Sequence, residues 1–378
     1  MGAWRRTGRA ALCAVLLAAA TRSRASTVAE PIARLSLEGG YDSNALYNGS
    51  GSDRTTRVSP DLGLRLRDHL FDFRAMYGGD WVVYQRLAPD GFWNQRALLS
   101  LDATPSRRTH VLADFRGYLS MDPVGLAAMG IFNTGQTSVL VLNGDVKVAY
   151  RAEHDLDLAG VLTDRTAIFQ NRTGGSMHQP SFEALKHWGS ERLALGGAYT
   201  FSVFQEYDPG VTVLSFAHAL RGRMNFRFTR AIRVEAFAGP AFWHQGGQAA
   251  LVPEAGATLY GHSRDYEFRL MVQHGLGIGI TARPGLVNSF EFGALRKFQR
   301  RYELRADGGM WNSGLAPSGQ FAVTGYTVSG EAALLVGGGV RLGIAAAHFG
   351  RVDQRVAQFE RTTLGLRLGW ELRERPPH

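Results

Sequence analysis

The stretch Leu70–Tyr84, LFDFRAMYGGDWVVY, alternates apolar and polar side chains over most of its length. Phe71, Phe73, Ala75, Tyr77, Trp81 and Val83 fall on one face of an extended chain, and Asp72, Arg74, Met76, Gly78 and Asp80 on the other. Successive side chains of a strand point to opposite sides, so one side is apolar and the other ionic. Strands of soluble sandwiches run about 5–6 residues. A strand of about 10 or more residues, apolar on one face and charged on the other, fits a transmembrane β-barrel, where one face meets lipid and the other water.

The same alternation recurs from Ala33 to Glu371. It predicts an all-β chain: an antiparallel transmembrane β-barrel of about 18 strands, with 16 as the alternative count. The first strand is expected near 33–42 and the last near 356–371. Others are expected near 93–103, 180–188, 192–204 and 253–262. Short connections such as Arg67-Asp68-His69 and Arg151–His154 alternate with longer ones such as Ser43–Asp53 and Ala167–Gln179. That places both termini on the periplasmic side and the long loops outside. The longest loop, Met121–Thr137, contains a short helix candidate at Val124–Ile131 and either folds over the pore or lies as a surface flap.

Residues 1–25 have the form of a cleaved signal peptide. Arg5, Arg6 and Arg9 precede an apolar run, Ala10–Ala20, and Ser23-Arg24-Ala25 offers small residues at a cleavage site. The run is too short to span a bilayer. Residues 26–32 are then a periplasmic lead-in, 33–371 the barrel and 372–378 a periplasmic tail. The one cysteine, Cys13, lies in the signal, so the mature chain is expected to hold no disulfide or thiolate chemistry. Five arginines of the formal +9 also lie in residues 1–25, which leaves about +4. The remaining basic residues are spread among acids rather than clustered in a stripe, which argues against nucleic acid as a partner.

The inward faces gather the candidate lumen-lining residues: Asp72, Arg74, Asp80, Arg96, Asp114, Arg116, Tyr118, Arg221, Arg223, Arg227, Arg233, Glu235, Arg269, Arg305 and Arg367. An Arg or Lys facing lipid at the midplane costs about 2–4 kcal/mol, so these groups line water or pair with one another. Arg221, Arg223, Arg227 and Arg233 form the best candidate for a basic patch. Tyr118 and Trp311 are candidates to stack on sugar rings. Trp81, Trp93, Trp188, Trp243 and Trp370 are expected in the aromatic girdles at the two membrane interfaces. Tyr84 and Trp311 also lie near long loops. The eleven histidines are scattered without metal spacing, and no nucleophile–base arrangement stands out. The chain is therefore expected to be neither an enzyme nor a metal or cofactor carrier.

Two segments carry resemblances. Thr363–Trp370, TLGLRLGW, resembles the C-terminal signal read by barrel-assembly machinery in bacterial outer-membrane proteins. Leu37–Asn44, LEGGYDSN, and the turn Thr104-Pro105-Ser106-Arg107-Arg108-Thr109 resemble the putative β-barrel porin family of exopolysaccharide loci, nearest to the Wzp-type export barrels of myxobacteria. That resemblance implies an outer-membrane channel of a Gram-negative bacterium through which a secreted exopolysaccharide passes. A periplasmic polysaccharide-export protein would be its partner, with lipids and lipopolysaccharide around it. The residues alone also allow a general diffusion porin for small hydrophilic solutes, or a non-conducting structural or adhesin barrel.

Overall fold

The computed structural model describes residues 27–44, 51–121, 138–152, 155–171, 173–188, 192–279, 283–299, 301–314, 321–353 and 359–372. The expected signal peptide and the 122–137 stretch, with its helix candidate, lie outside the described residues. Eighteen strands follow one another. They are β1 (Val28–Asp42), β2 (Asp53–Arg67), β3 (Phe71–Tyr84), β4 (Ala88–Ser106), β5 (Thr109–Ser120) and β6 (Val139–Arg151). Next come β7 (Leu156–Phe169), β8 (Gly174–Trp188), β9 (Leu193–Asp208), β10 (Val211–Arg227), β11 (Ile232–Gln245) and β12 (Gln248–His262). The last six are β13 (Tyr266–Ile278), β14 (Pro284–Phe298), β15 (Tyr302–Gly314), β16 (Phe321–Gly337), β17 (Val340–Asp353) and β18 (Phe359–Glu371).

Each strand pairs antiparallel with its neighbours in sequence, and β1 pairs with β18 from Arg34↔Glu371 to Asp42↔Thr363, so the sheet closes on itself. Closure leaves no strand without two neighbours, the condition for a sheet to stand in lipid. A barrel of 16–18 strands is wide enough for an aqueous channel.

Alternation decides which face meets lipid. Leu62, Leu220 and Leu366 are 64–67% exposed on the outer face. Trp81 and Trp93 face each other across the β3–β4 ladder near the loop end, and Trp188 and Trp370 lie near the turn end; all four are exposed. The opposite face carries charge, and the β1–β18 seam is fastened by it. Arg361, 1% exposed, donates its Nε to Asp42 Oδ1 at 2.8 Å and a terminal nitrogen to the Tyr84 hydroxyl at 2.7 Å. Its guanidinium also lies over the Phe349 ring, 5.4 Å from the centroid.

Several strands are longer than their alternation predicts. The lead-in 26–32 is largely strand, because β1 begins at Val28 and pairs with Arg67. β4 begins at Ala88, β8 at Gly174 and β12 at Gln248, so three expected loops shrink to tight hairpins. These extensions rise toward the loop end, where the strict alternation of apolar and charged residues fades. Between β11 and β12 the turn is Gly246-Gly247, with φ of +55° and +84°. Two left-handed residues in succession make the tight hairpin turn that glycine favours.

One pairing is short. β11 and β12 stay together to Gln245↔Gln248, and β13 and β14 to Ile278↔Pro284. Between β12 and β13, however, the register stops at Ala255↔His274. Above it the β13–β14 hairpin leaves the wall and turns inward, reaching β8 and β9 on another part of the barrel.

A proline pair marks where the two strands part. Pro240 and Pro253 stand opposite each other on β11 and β12. Neither can donate a hydrogen bond, so this cannot be a bonded pair of the ladder. The Pro253 nitrogen therefore faces the β13 side and offers no donor there. Glu254 takes the place of the ladder acceptor that the parted strands forgo: its Oε1 accepts the Leu276 N–H at 3.1 Å, and its Oε2 is bound by Arg221 at 2.7 Å. Gly275 lets this happen, since a Cβ there would stand 3.1 Å from Oε1 of Glu254.

Candidate functional site

The site is the lumen. The registers carry one face continuously around the barrel, from Asp72 and Arg74 on β3 through Arg96 and Tyr118 to Arg367 on β18. All the candidate lumen residues fall on that face. Most of their charge is locally balanced. Arg96 bridges Asp61 at 2.7 Å and Asp80 at 2.6 Å, and Arg116 holds Asp114 at 2.7 Å. Arg367 joins Glu38 at 2.6 Å to Glu331 at 2.9 Å, and Arg341 continues the chain from Glu331 to Glu303 at 3.2 Å. Asp72 is shared by Arg65 and Arg67, beside Arg74.

The expected patch of Arg221, Arg223, Arg227 and Arg233 is broken up by acids. Arg221 is bound to Glu254 and Arg223 to Glu183, which Lys147 also approaches at 3.5 Å. Arg227 ends β10 at the turn end, exposed. Arg233 lies over the Tyr260 ring at 4.6 Å and 3.6 Å from Glu235. It opens onto a lumen cavity of about 780 Å³, which Arg269, Arg305, Asp307, Glu291 and Trp311 also line. Arg269 has no carboxylate partner among the described residues; its guanidinium lies 3.1 Å from the Met271 sulfur.

Two aromatics expected near the outer interface lie on the inner face. Trp243 is 4% exposed, and Tyr84 is 1% exposed. Trp311 sits on the lumen face and donates its Nε1 to Glu291 Oε1 at 3.3 Å. Trp243 leaves the girdle because the inward hairpin needs a seat. Leu276, Ile278 and Leu286 of that hairpin pack with Met177, Phe204, Ala217, Ala219, Ala241, Trp243 and Val252 of the facing wall. Tyr118, a candidate for sugar stacking, packs instead against the cluster of Val139, Val141 and Ala167.

The hairpin thus has two unlike sides. One is sealed to β8–β12 by apolar packing. The other, with Gly275, Gly277, Val287 and Ser289, faces Val141, Asn143, Arg165 and Trp311 across a cavity of about 260 Å³. Its end is pinned across the barrel mouth by Arg283, which reaches Asp208 Oδ1 at 2.8 Å and Glu206 Oε1 at 3.2 Å on β9. Alternation alone did not reveal this constriction, because apolar residues at 276, 278 and 286 suit a lipid face equally well. A lone arginine in a Gly-rich loop, Arg283 after Gly275, Gly277 and Gly279, was the one available signal.

A hydrogen-bonded string on the outer face bears on chemistry. His178 Nδ1 meets Asp164 Oδ2 at 2.6 Å, and Ser176 Oγ lies 3.4 Å from His178 Nε2. The Tyr207 hydroxyl donates to Gln205 at 2.6 Å and so accepts from Ser176 at 3.1 Å. The serine proton is thereby directed to tyrosine, and Ser176 is 1% exposed. A nucleophile needs its base in contact and its oxygen open to substrate. The string braces β7, β8 and β9. Among the described residues no group of three or more His, Cys, Asp or Glu side chains could hold a metal ion.

No protein-family profile and no curated protein sequence matches the chain. Solved structures do. The chain is similar to the outer membrane protein OpdK from Pseudomonas aeruginosa at 10% identity and a TM-score of 0.43, covering 90% of this chain and 99% of that one. It is similar to OpdQ from Pseudomonas aeruginosa at 8% identity and 0.44, covering 91% and 98%. It is also similar to a BenF-like porin from Pseudomonas fluorescens Pf-5 at 11% and 0.42, covering 91% and 99%.

These findings correct the expected membership in the exopolysaccharide-locus family and its Wzp-type export barrels. No family profile answers to it, and the solved structures the chain is similar to include an outer membrane protein and a BenF-like porin, with no export barrel among those named. The exopolysaccharide-export function and the periplasmic export partner fall with it. The barrel architecture itself stands on the strand order and closure. An apolar belt around a closed barrel places the chain in the Gram-negative outer membrane, among its lipids and lipopolysaccharide, where assembly machinery inserts such barrels.

Proposed function

We propose that the protein is an outer-membrane diffusion porin for small hydrophilic solutes. The observation that carries this reading is the inner wall: a continuous charged face, largely ion-paired, narrowed at its loop end by the folded-in hairpin. Paired charges keep a lumen hydrated without binding a solute strongly, and conduction needs sites weak enough to leave. The passage beside the hairpin suits small solutes more than a broad polymer. In this reading Asp72, Arg74, Asp80, Arg96, Asp114, Arg116, Arg305 and Arg367 hold water along the path. Arg233 and Arg269, on the lower cavity with Tyr260, tilt the path modestly toward anions. Trp81, Trp93, Trp188 and Trp370 anchor the barrel at the two interfaces.

The test is swelling of liposomes that carry the purified barrel in sugars of rising size. A monosaccharide should enter faster than a trisaccharide, without any partner protein. Swelling no faster than in protein-free liposomes would refute the reading.

A further inference from the structure

The free edge of β12 and the folded-in end of β13 are complementary. Continuing their register beyond Ala255↔His274 would place Glu254 opposite Gly275, Pro253 opposite Leu276, Val252 opposite Gly277 and Leu251 opposite Ile278. Among the described residues, Gln248–Glu254 pair with β11 only. In the continued pairing Leu276 and Ile278 would stand beside Pro253 and Leu251. Leu251 is 67% exposed on the lipid face. Apolar residues belong there. The same two leucine and isoleucine side chains now pack inside against Trp243 and Phe204. One alternation therefore serves two positions of the hairpin.

The fastenings of the present position are graded. The seal of Leu276, Ile278 and Leu286 on Trp243 is apolar and non-directional. The Arg283 pairs with Glu206 and Asp208 lie at the mouth with Arg283 and Asp208 each about 40% exposed. Exposed pairs contribute little, about 0–1 kcal/mol, and are readily broken. On the other side, Pro253 weakens re-pairing by withholding one ladder donor. The buried hydrogen bond from Leu276 N–H to Glu254 Oε1 also holds the present position, and re-pairing would replace it with one to the Pro253 carbonyl, so the count of polar contacts changes little between the two.

We propose that the loop end of β13–β14 is a two-position gate. Folded across the lumen and latched by Arg283, it narrows the pore; zipped against the free edge of β12, it joins the wall and widens the pore. The proposal rests on the porin reading for its consequence, but the hairpin's position can be read without conductance.

Two cysteine pairs separate the positions, in a Cys13→Ser background that removes the chain's one native cysteine. D208C/R283C joins the residues that touch in the folded-in position. L251C/I278C joins residues that would be opposed only in the zipped one. Disulfides need Cα atoms about 4.4–6.8 Å apart, which residues opposed on a ladder satisfy, so L251C/I278C reports the zipped position by direct oxidation. Asp208 and Arg283 meet through the tip of a long side chain, so D208C/R283C is closed with a short bis-methanethiosulfonate linker. Both pairs should close, seen by gel mobility before and after reduction. Closed D208C/R283C should hold the channel at a low conductance level and closed L251C/I278C at a higher one, both released by dithiothreitol. Arg283→Gln, without any cross-link, should spend more time at the higher level. If D208C/R283C closes while L251C/I278C does not, the hairpin is a fixed constriction and the proposal fails. Failure of D208C/R283C to close with the linker overturns it equally. A wild-type barrel that does not conduct would count against the porin reading, while the cross-links would still report where the hairpin lies.

Discussion

At the residue scale, the stability of the seam concentrates on Arg361. Its guanidinium serves Asp42 and Tyr84 at once and is almost wholly buried, so removing it leaves a buried carboxylate without its counter-charge. Breaking a buried pair from one side costs about 3–5 kcal/mol. Arg361→Met should lower the unfolding midpoint of the detergent-solubilised barrel by a margin consistent with that, followed by heat-dependent gel mobility. Leu62 provides the opposite test. It is 67% exposed on the lipid face. Leu62→Arg should cost about 2–4 kcal/mol if the site lies near the midplane, read as a lower yield of folding into vesicles. Such single positions were legible in sequence wherever alternation held: Asp72 and Arg74 of the opening stretch fall inward and Tyr77 and Trp81 outward. Trp243 was not. Its parity puts it inside, but proximity to a loop suggested the girdle; what holds it is Leu276, thirty-three positions on, and a contact between distant strands leaves no local mark.

At the element scale, the β13–β14 hairpin is the part that departs from a plain barrel. Its seat is an apolar cluster inside a lumen that is otherwise polar, and that cluster has a cost if emptied. Large-to-small changes of buried aromatics cost about 3–5 kcal/mol. Trp243→Ala should therefore loosen the hairpin and raise mean conductance while leaving the barrel closed, since Trp243 lies away from the β1–β18 seam. An unchanged conductance with a purely lowered midpoint would mean the cluster stabilises the wall without narrowing it. The number and order of strands were readable because lipid on one side and water on the other impose period two. The ends were less so. β4, β8 and β12 run past the membrane belt, where that constraint lapses, and only turn chemistry such as Gly246-Gly247 marks the true hairpin.

At the scale of the whole molecule, charge is distributed as a wall of short-range pairs, not as a single-sign tunnel. Arg269 is a cation of the lower cavity with no carboxylate partner among the described residues. Arg269→Glu should shift the reversal potential in a salt gradient from anion toward cation preference, with little change in stability because the site faces water. The expectation of a polysaccharide exporter came from a short LEGGYDSN likeness at one strand end, and such a segment is constrained by turn geometry more than by cargo. What the whole inner face carries is a hydrated path with one narrowing. The most direct test of that account is a planar bilayer recording of the purified barrel alone in potassium chloride. Stepwise insertion of water-filled conductances, without any partner protein, is the predicted result. A membrane that stays at its lipid baseline while folded barrel is demonstrably inserted would contradict it.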